Sequence, residues 1–194
     1  MLSTVALWFL AAGYSIIVAF FIIQRLLRRT KDAKSFKRGV YDRGNMILIG
    51  GATGIGILVP VVVDVLGVGI FAMSIAAGFV ALLVMLLGVG TRIWAAVTLG
   101  NYYTTTLMVA EGQRVVTKGP YAWVRHPGYL GEVLIWTGLG VLSSSLIVAL
   151  WLPIMFVVVI LYRISSEERM LVKELGDDYV KYQRKTRKLV PFVY

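Results

Sequence analysis

The sequence predicts an all-α, polytopic membrane protein. It should have five transmembrane helices, the last two a short hairpin, together with a cytoplasmic loop and a C-terminal amphipathic helix. Three observations carry this reading. Of the 194 residues, 58% are hydrophobic and only 15% charged. Several apolar runs exceed the ~18 residues at which a stretch reads as a membrane-crossing helix. All 20 Lys and Arg fall in three zones: eight between residues 25 and 43, four between 92 and 125, and eight between 163 and 188. The connections near residues 64–69 and 143–145 have none, which is the positive-inside pattern. Backbone polar groups in lipid must be satisfied within their own segment, so the spans are helices. The net charge of +10 then belongs at an anionic lipid surface and not on nucleic acid.

The elements follow in order. Residues 2–27 are too long for a signal-peptide core and lack a basic stretch before them, so they are expected as a retained helix. Residues 45–66 and 68–99 form the second and third spans. The third is longer than a bilayer needs, so its end around residues 93–101 should tilt or project into the cytoplasm. Residues 129–142 and 146–164 are short, and Ser143, Ser144 and Ser145 between them predict a tight helical hairpin. An odd number of spans puts the N-terminus outside and the C-terminus inside, with every basic zone cytoplasmic.

Residues 101–125 form a polar loop with turn signals at Glu111-Gly112-Gln113 and Lys118-Gly119-Pro120. Between residues 169 and 194, Leu171, Leu175, Tyr179 and Tyr182 are spaced by four, four and three. That spacing predicts an amphipathic helix with a basic face, closed by Pro191, on the membrane or over a site. The protein reads as one domain, 1–194, with three spans in 1–99 and the functional region in 100–194.

Composition excludes several chemistries. There is no cysteine, so disulfides, thiolate metal sites and cysteine nucleophiles are absent. One histidine excludes a multi-histidine metal site, and no metal is expected; carboxylates alone remain as ligands for a hard cation. Gly50, Gly51, Gly54 and Gly56 imitate a nucleotide-binding loop, but no strand precedes them. Gly50 and Gly54 form a small-xxx-small pair that predicts helix packing. Asp64, at the outer end of a span, reads as a solvated or capping carboxylate before an ion site.

The polar residues that stand out lie at a membrane boundary. His126 is the lone histidine, in the run Gly119-Pro-Tyr121-Ala-Trp-Val-Arg125-His126-Pro127-Gly128-Tyr129-Leu-Gly131. Arg125 and His126 supply donors beside a helix N-terminus, which favours an anion such as a carboxylate. Pro127 opens the helix, and Gly128 and Gly131 allow a ligand or neighbouring helix to approach closely. The plain alternative is a juxtamembrane anchor with a snorkelling arginine. Arg163 and Glu167 are four apart and share a helix face, and the plain alternative there is an intrahelical ion pair. Glu168 points about 100° away, toward the loop. The adjacent carboxylates suit a cationic cofactor or an amine. The two clusters bracket the hairpin, so they can meet at one membrane face.

Together with Leu171, Gly176, Tyr179, Tyr182 and the late proline, these residues resemble the isoprenylcysteine carboxyl methyltransferase family, integral-membrane enzymes that use S-adenosylmethionine. The resemblance runs from about Gln113 to Pro191, and the wider superfamily also holds phospholipid N-methyltransferases. It implies a cytoplasmic-side cofactor pocket in place of a Rossmann sheet. The cofactor contacts it implies are Gln113, Arg114, Val115, Val116, Tyr121, His126, Pro127, Gly128 and Tyr129, with Arg125, Gly131 and Glu168 beside them. The family commonly has histidine where Gln113 stands. Arg163 and Glu167 match positions of the methyl-acceptor site, and Glu132 matches no signature of the family.

The expected function is therefore methylation of the carboxylate of a lipophilic, prenylated acceptor at the membrane. A carboxylate is already ionised near neutral pH and needs no strong base, only alignment and exclusion of water. Arg163 would hold it, Glu167 would orient Arg163, and His126 and the aromatics would hold the cofactor. Two alternatives stand beside this reading: N-methylation of a lipid amine, with Glu167 accepting a proton, and a non-catalytic scaffold recruiting anionic lipid.

Overall fold

The computed structural model describes residues 4–27, 44–104, 107, 109 and 112–190. Among these it has six α-helices: α1 Thr4–Leu27, α2 Asn45–Leu66, α3 Ile75–Leu99, α4 Pro127–Leu142, α5 Leu146–Leu175 and α6 Asp177–Lys185. The expected basic stretch after Arg25, the turn at Glu111 and the closure at Pro191 lie outside the described residues.

Four helices, α1, α2, α3 and α5, are long and apolar enough to cross a membrane. With few breaks and long runs of Leu, Val and Ile, they are the elements of an integral, multi-pass protein. At 16 residues α4 is shorter, and none of its residues is exposed. It is enclosed by α1, α3 and α5.

Three expected element boundaries need correction. The third span starts at Ile75, not at residue 68, because Gly67 and Gly69 both adopt positive φ and Ser74 caps the helix by accepting from Ala77 N at 3.1 Å. The hairpin is unequal and not uniformly short: α5 runs to Leu175, past residue 164. Ser165 to Arg169 contain nothing that breaks a helix, and the break comes at Gly176, where φ is +59°. The amphipathic spacing of Leu171, Leu175, Tyr179 and Tyr182 is accordingly split between the end of α5 and the short α6.

The intervening segment, residues 67–74, closes the turn end of the hairpin. Phe71 N donates to Ser144 O at 2.9 Å, Leu146 N to Gly69 O at 3.0 Å, and Ser145 Oγ to Val68 O at 2.9 Å. Ser143, Ser144 and Ser145 are all buried as a result.

Small residues set the crossing of α3 and α4. A Cβ on Gly131 would meet Gly88 O at 2.5 Å, and one on Gly138 would meet Ala81 O at 2.6 Å. Trp136 stacks on Phe156 at 4.1 Å between α4 and α5, and Gly56 of α2 packs against both rings. Gly50 and Gly54 face open space, so the packing expected of that pair falls to Gly56. Asp64 is buried, not solvated, and its two carboxylate oxygens accept no hydrogen bond among the described residues. A second, smaller core of Leu107, Met170, Leu171, Tyr179 and Tyr182 joins the C-terminal end of α5 to α6 and the loop.

Candidate active site

The first turn of α4 is where the site begins. Pro127 fixes the N1 position, and His126 stands just before it with non-helical dihedrals. The segment that follows α6 returns to this point. Arg125 N donates to Arg187 O at 2.8 Å, and His126 N donates to Lys188 O at 3.2 Å. Gly176 makes that return possible by reversing the backbone between α5 and α6.

Arg125 ties the corner together. Its Nε donates to Glu168 Oε1 at 2.7 Å, and its Nη1 donates to Gln183 O at 3.0 Å and to Thr186 O at 2.5 Å. Glu168 Oε1 also lies 3.2 Å from His126 Nε2. A carboxylate accepts, so this contact places the imidazole hydrogen on Nε2. Lys188 Nζ stands 3.9 Å from the other Glu168 oxygen. The His126 ring stacks on Tyr129 with centroids 5.7 Å apart.

Tyr129 links the two halves of the hairpin. Its hydroxyl donates to Glu167 Oε2 at 2.6 Å and accepts from Arg163 Nε at 2.6 Å. The expected coupling of Arg163 to Glu167 therefore runs through a phenol on α4. Arg163 is 4% exposed, so the guanidinium is held at depth, where charge-assisted bonds are strong.

Most of these groups line one cavity of about 250 Å³, just below the usual range of small-molecule sites. Gln113, Arg114, Val115 and Val116 form one wall, and Tyr121, Arg125, His126, Gly128, Tyr129, Arg163 and Glu167 also face it. Three expected cofactor residues do not line it. Pro127 starts the helix, Gly131 sits in the α3–α4 crossing, and Glu168 lies behind Arg125 and His126 as their common acceptor.

On the same cavity, sequence reading misses Arg92, Gln24 and Tyr103. Arg92 Nη1 donates to Gly128 O at 3.0 Å and to Glu132 Oε2 at 2.9 Å. Its guanidinium lies over the Phe20 ring, 5.6 Å from the centroid. The Gln24 carboxamide lies between Arg92 and the Tyr103 hydroxyl. A carboxylate at Glu132 facing an arginine in another span was the available signal. Phe20 and Phe21 of α1 and Met46 and Ile49 of α2 add apolar lining.

Tyr121 and Tyr182, outside the spans, stay neutral. Burial, with Glu167 next, pushes Tyr121 above its usual range. Burial carries Tyr182 up to about 12 against the pull of Arg125. Tyr182 OH thus remains a donor to Tyr121 O, at 2.7 Å, and locks α6 onto the loop. No cluster of three or more metal-ligating side chains occurs among the described residues.

Residues 80–173 match the model of the isoprenylcysteine carboxyl methyltransferase (ICMT) family. A protein-S-isoprenylcysteine O-methyltransferase of Schizosaccharomyces pombe is 30% identical over 109 residues, 49% of this chain and 46% of that protein. Protein-S-isoprenylcysteine O-methyltransferase B of Arabidopsis thaliana is 33% identical over 115 residues, 58% of each. An uncharacterized Bacillus subtilis protein is 32% identical over 80 residues, 41% of this chain and 48% of that one. The protein spans about half the length of the curated relatives it matches. The solved eukaryotic intramembrane Ras methyltransferase ICMT is similar in fold, with a TM-score of 0.64 and 18% identity, over 100% of this protein and 70% of that one.

Proposed function

Taking as premise that residues 80–173 carry the region of the isoprenylcysteine carboxyl methyltransferase family, we propose that this protein is an S-adenosylmethionine-dependent carboxyl methyltransferase. Its acceptor is a prenylated, isoprenylcysteine-like carboxylate taken from the membrane. The observation that carries the reading is the Arg163–Tyr129–Glu167 relay, facing the same cavity as the Gln113–Val116 wall and His126.

The cavity suits such a cofactor. It offers the 113–116 segment as one wall, the aromatic side chains of Tyr121 and Tyr129, and the Glu167 carboxylate for a sulfonium's positive charge. When bound, S-adenosylmethionine would supply an electrophilic methyl. Gln113, Arg114, Val115, Val116, Tyr121, His126, Gly128 and Tyr129 would hold it, with Arg125, Pro127, Gly131 and Glu168 supporting that wall.

The work of the protein is then positional. Arg163 holds the acceptor carboxylate, with its Nε fixed on Tyr129. Tyr129 holds Arg163 against Glu167, so the guanidinium plane is set before the acceptor arrives. Apolar side chains of α1 and α2 exclude water and receive the lipid tail. No proton has to leave the acceptor, because its carboxylate is the nucleophile.

Amine N-methylation is the second reading, favoured by the two carboxylates, Glu132 and Glu167, on the cavity. One experiment separates these readings. Calorimetry with S-adenosylhomocysteine in detergent should give saturable binding, and a scaffold would give none. Methyl transfer should then go to an S-farnesyl cysteine and not to phosphatidylethanolamine, and the reverse preference would install the amine reading.

The same proposal includes five spans, α4 being the fourth, with the N-terminus outside and the site cytoplasmic. The three basic zones support it. Cysteines placed singly at Val68 and Lys185, both exposed, should label from opposite faces of sealed vesicles. Labelling from one face removes the topology.

A further inference from the structure

We propose that the outward face of residues 184–188, with Lys118 beside it, docks anionic phospholipid headgroups, and that this contact steadies the segment to which Arg125 and His126 are tied. The partner is additional to the methyltransferase reading above; the consequence for cofactor binding rests on that reading.

The level of this segment is set by what it touches. After α6 the chain returns to the start of α4, where Lys188 O accepts from His126 N at 3.2 Å. Leu189 is buried in the main core of the bundle, and Val190 beside it is exposed. Arg187 N donates to Trp123 O at 3.2 Å, and the Trp123 indole meets Trp94, near the end of α3, edge to face at 6.0 Å. The two indoles are largely open, Trp94 at 47% and Trp123 at 58%. Exposed tryptophans near the end of a membrane helix mark the headgroup layer, where the ring body meets lipid and the N–H meets polar groups.

Charge is sorted toward that layer. Asp177 and Asp178 stand in the first turn of α6, and Arg184 and Lys185 in its last. Arg187 follows, and Lys118 precedes Gly119, which abuts Trp94. Lys118, Arg184, Lys185 and Arg187 are all exposed. Among the described residues none of these four has a carboxylate within ion-pair distance. Complementing the helix dipole accounts for Arg184 and Lys185. It does not account for Arg187 and Lys118, which lie outside the α-helices. Clustered cations without counterions, edged by interfacial tryptophans, are complementary to the phosphodiesters of an anionic bilayer surface.

The same segment faces the site with its carbonyls. Gln183 O and Thr186 O accept from Arg125 Nη1, and Arg187 O accepts from Arg125 N. With side chains outward and carbonyls inward, one stretch of chain joins the lipid surface to two residues of the cofactor wall. Headgroups that hold the side chains favour the arrangement that holds Arg125 and His126, so lipid and cofactor reinforce each other.

The test places the whole protein in nanodiscs of phosphatidylcholine, or of an equal mixture of phosphatidylcholine and phosphatidylglycerol. Phosphatidylglycerol should slow hydrogen exchange at residues 183–188 and lower the Kd for S-adenosylhomocysteine by roughly fivefold or more. Raising salt from about 0.05 M to about 1 M should erase both effects. A protein carrying Lys118→Gln, Arg184→Gln, Lys185→Gln and Arg187→Gln should show the phosphatidylcholine values in either lipid. Arg184→Lys with Arg187→Lys keeps the charge and should behave as the wild type, which separates lost charge from lost fold.

Equal exchange and equal affinity in the two lipids overturn the proposal. So does a lipid effect that survives the four glutamine substitutions, since the anion would then bind elsewhere. The same gain from inorganic phosphate in phosphatidylcholine nanodiscs overturns it too, by making the face a site for a free anion. If exchange follows phosphatidylglycerol but S-adenosylhomocysteine binds in neither lipid, the cofactor reading falls and the lipid contact stands.

Discussion

The two ends of the α4–α5 hairpin, the turn that the proposed topology places outside and the open end that it places inside, use buried polar chemistry in opposite ways. At the outer end, Ser143, Ser144 and Ser145 are buried, and two of their hydroxyls donate to backbone: Ser143 Oγ to Gly140 O at 2.7 Å and Ser145 Oγ to Val68 O at 2.9 Å, while Ser144 Oγ donates to Met73 Sδ at 3.9 Å. At the inner end the polar groups bond mainly to other side chains: Arg125 to Glu168, Tyr129 to Glu167, Arg163 to Tyr129, Arg92 to Glu132. Side chains that satisfy one another are held rigid while keeping a face toward the cavity. A turn closes a structure, whereas a network of long side chains builds a site.

Substitutions at the two ends should therefore separate stability from function. The largest loss is expected from Arg125→Ala. It leaves Glu168 with only His126 and Lys188 and takes the donor from two carbonyl oxygens, and each hydrogen bond to a charged group lost in this way costs about 1.5–3 kcal/mol. Thermal unfolding in detergent should drop sharply, and S-adenosylhomocysteine affinity should drop with it. A variant that melts like the wild type would remove Arg125 from its structural place.

Next comes Arg163→Lys, which keeps charge but loses the planar fork. kcat/KM on a carboxylate acceptor should fall roughly tenfold to a hundredfold, one charge-assisted hydrogen bond's worth, with cofactor affinity held. Loss of cofactor binding instead would move Arg163 to the other half of the cavity.

Gly131→Ala probes the crossing on which both ends depend. Its Cβ would stand 2.5 Å from Gly88 O and 3.1 Å from Arg92 N. Neither atom can move without its helix, so a stability loss of about 1–3 kcal/mol is expected. Activity at low temperature should suffer too, because Arg92 shifts with α3; unchanged stability would mean that the helices separate freely.

Ser145→Ala should have the smallest effect. It removes one hydrogen bond to Val68 O, worth about 0.5–1.5 kcal/mol, and should leave kcat/KM unchanged. A catalytic defect from this outer position would show that the two ends are coupled.

The sequence exposes the inner end better than the outer one. His126, Arg163 and Glu167 are conspicuous because polar groups beside long apolar runs need a reason, and the fold brings all three to one cavity. The inner limit of α5 is harder to read. Hydropathy ends near residue 164, but the helix continues on propensity until Gly176 stops it. Arg92 and Gln24 are hidden for a different reason. Each sits near the end of an apolar helix, where an interfacial polar residue is ordinary. Only the packing of α1 and α4 against α3 turns them into a pair facing Glu132. The burial of Ser144 is also illegible locally, since its cover comes from the segment after Gly67.

The unequal hairpin has a consequence for how the protein sits among lipids. Helix α5 is roughly 45 Å long and α4 roughly 24 Å, so a bilayer could not match both. It does not have to, because α4 is enclosed by neighbouring helices and has protein as its surroundings. Thickness mismatch would be taken up by tilting of the outer helices, at a modest cost per ångström. The helix that starts at His126 and carries Tyr129 and Glu132 is shielded from that adjustment. Methyl transfer should then depend on whether a given lipid composition delivers the acceptor, and only weakly on how thick that composition makes the membrane.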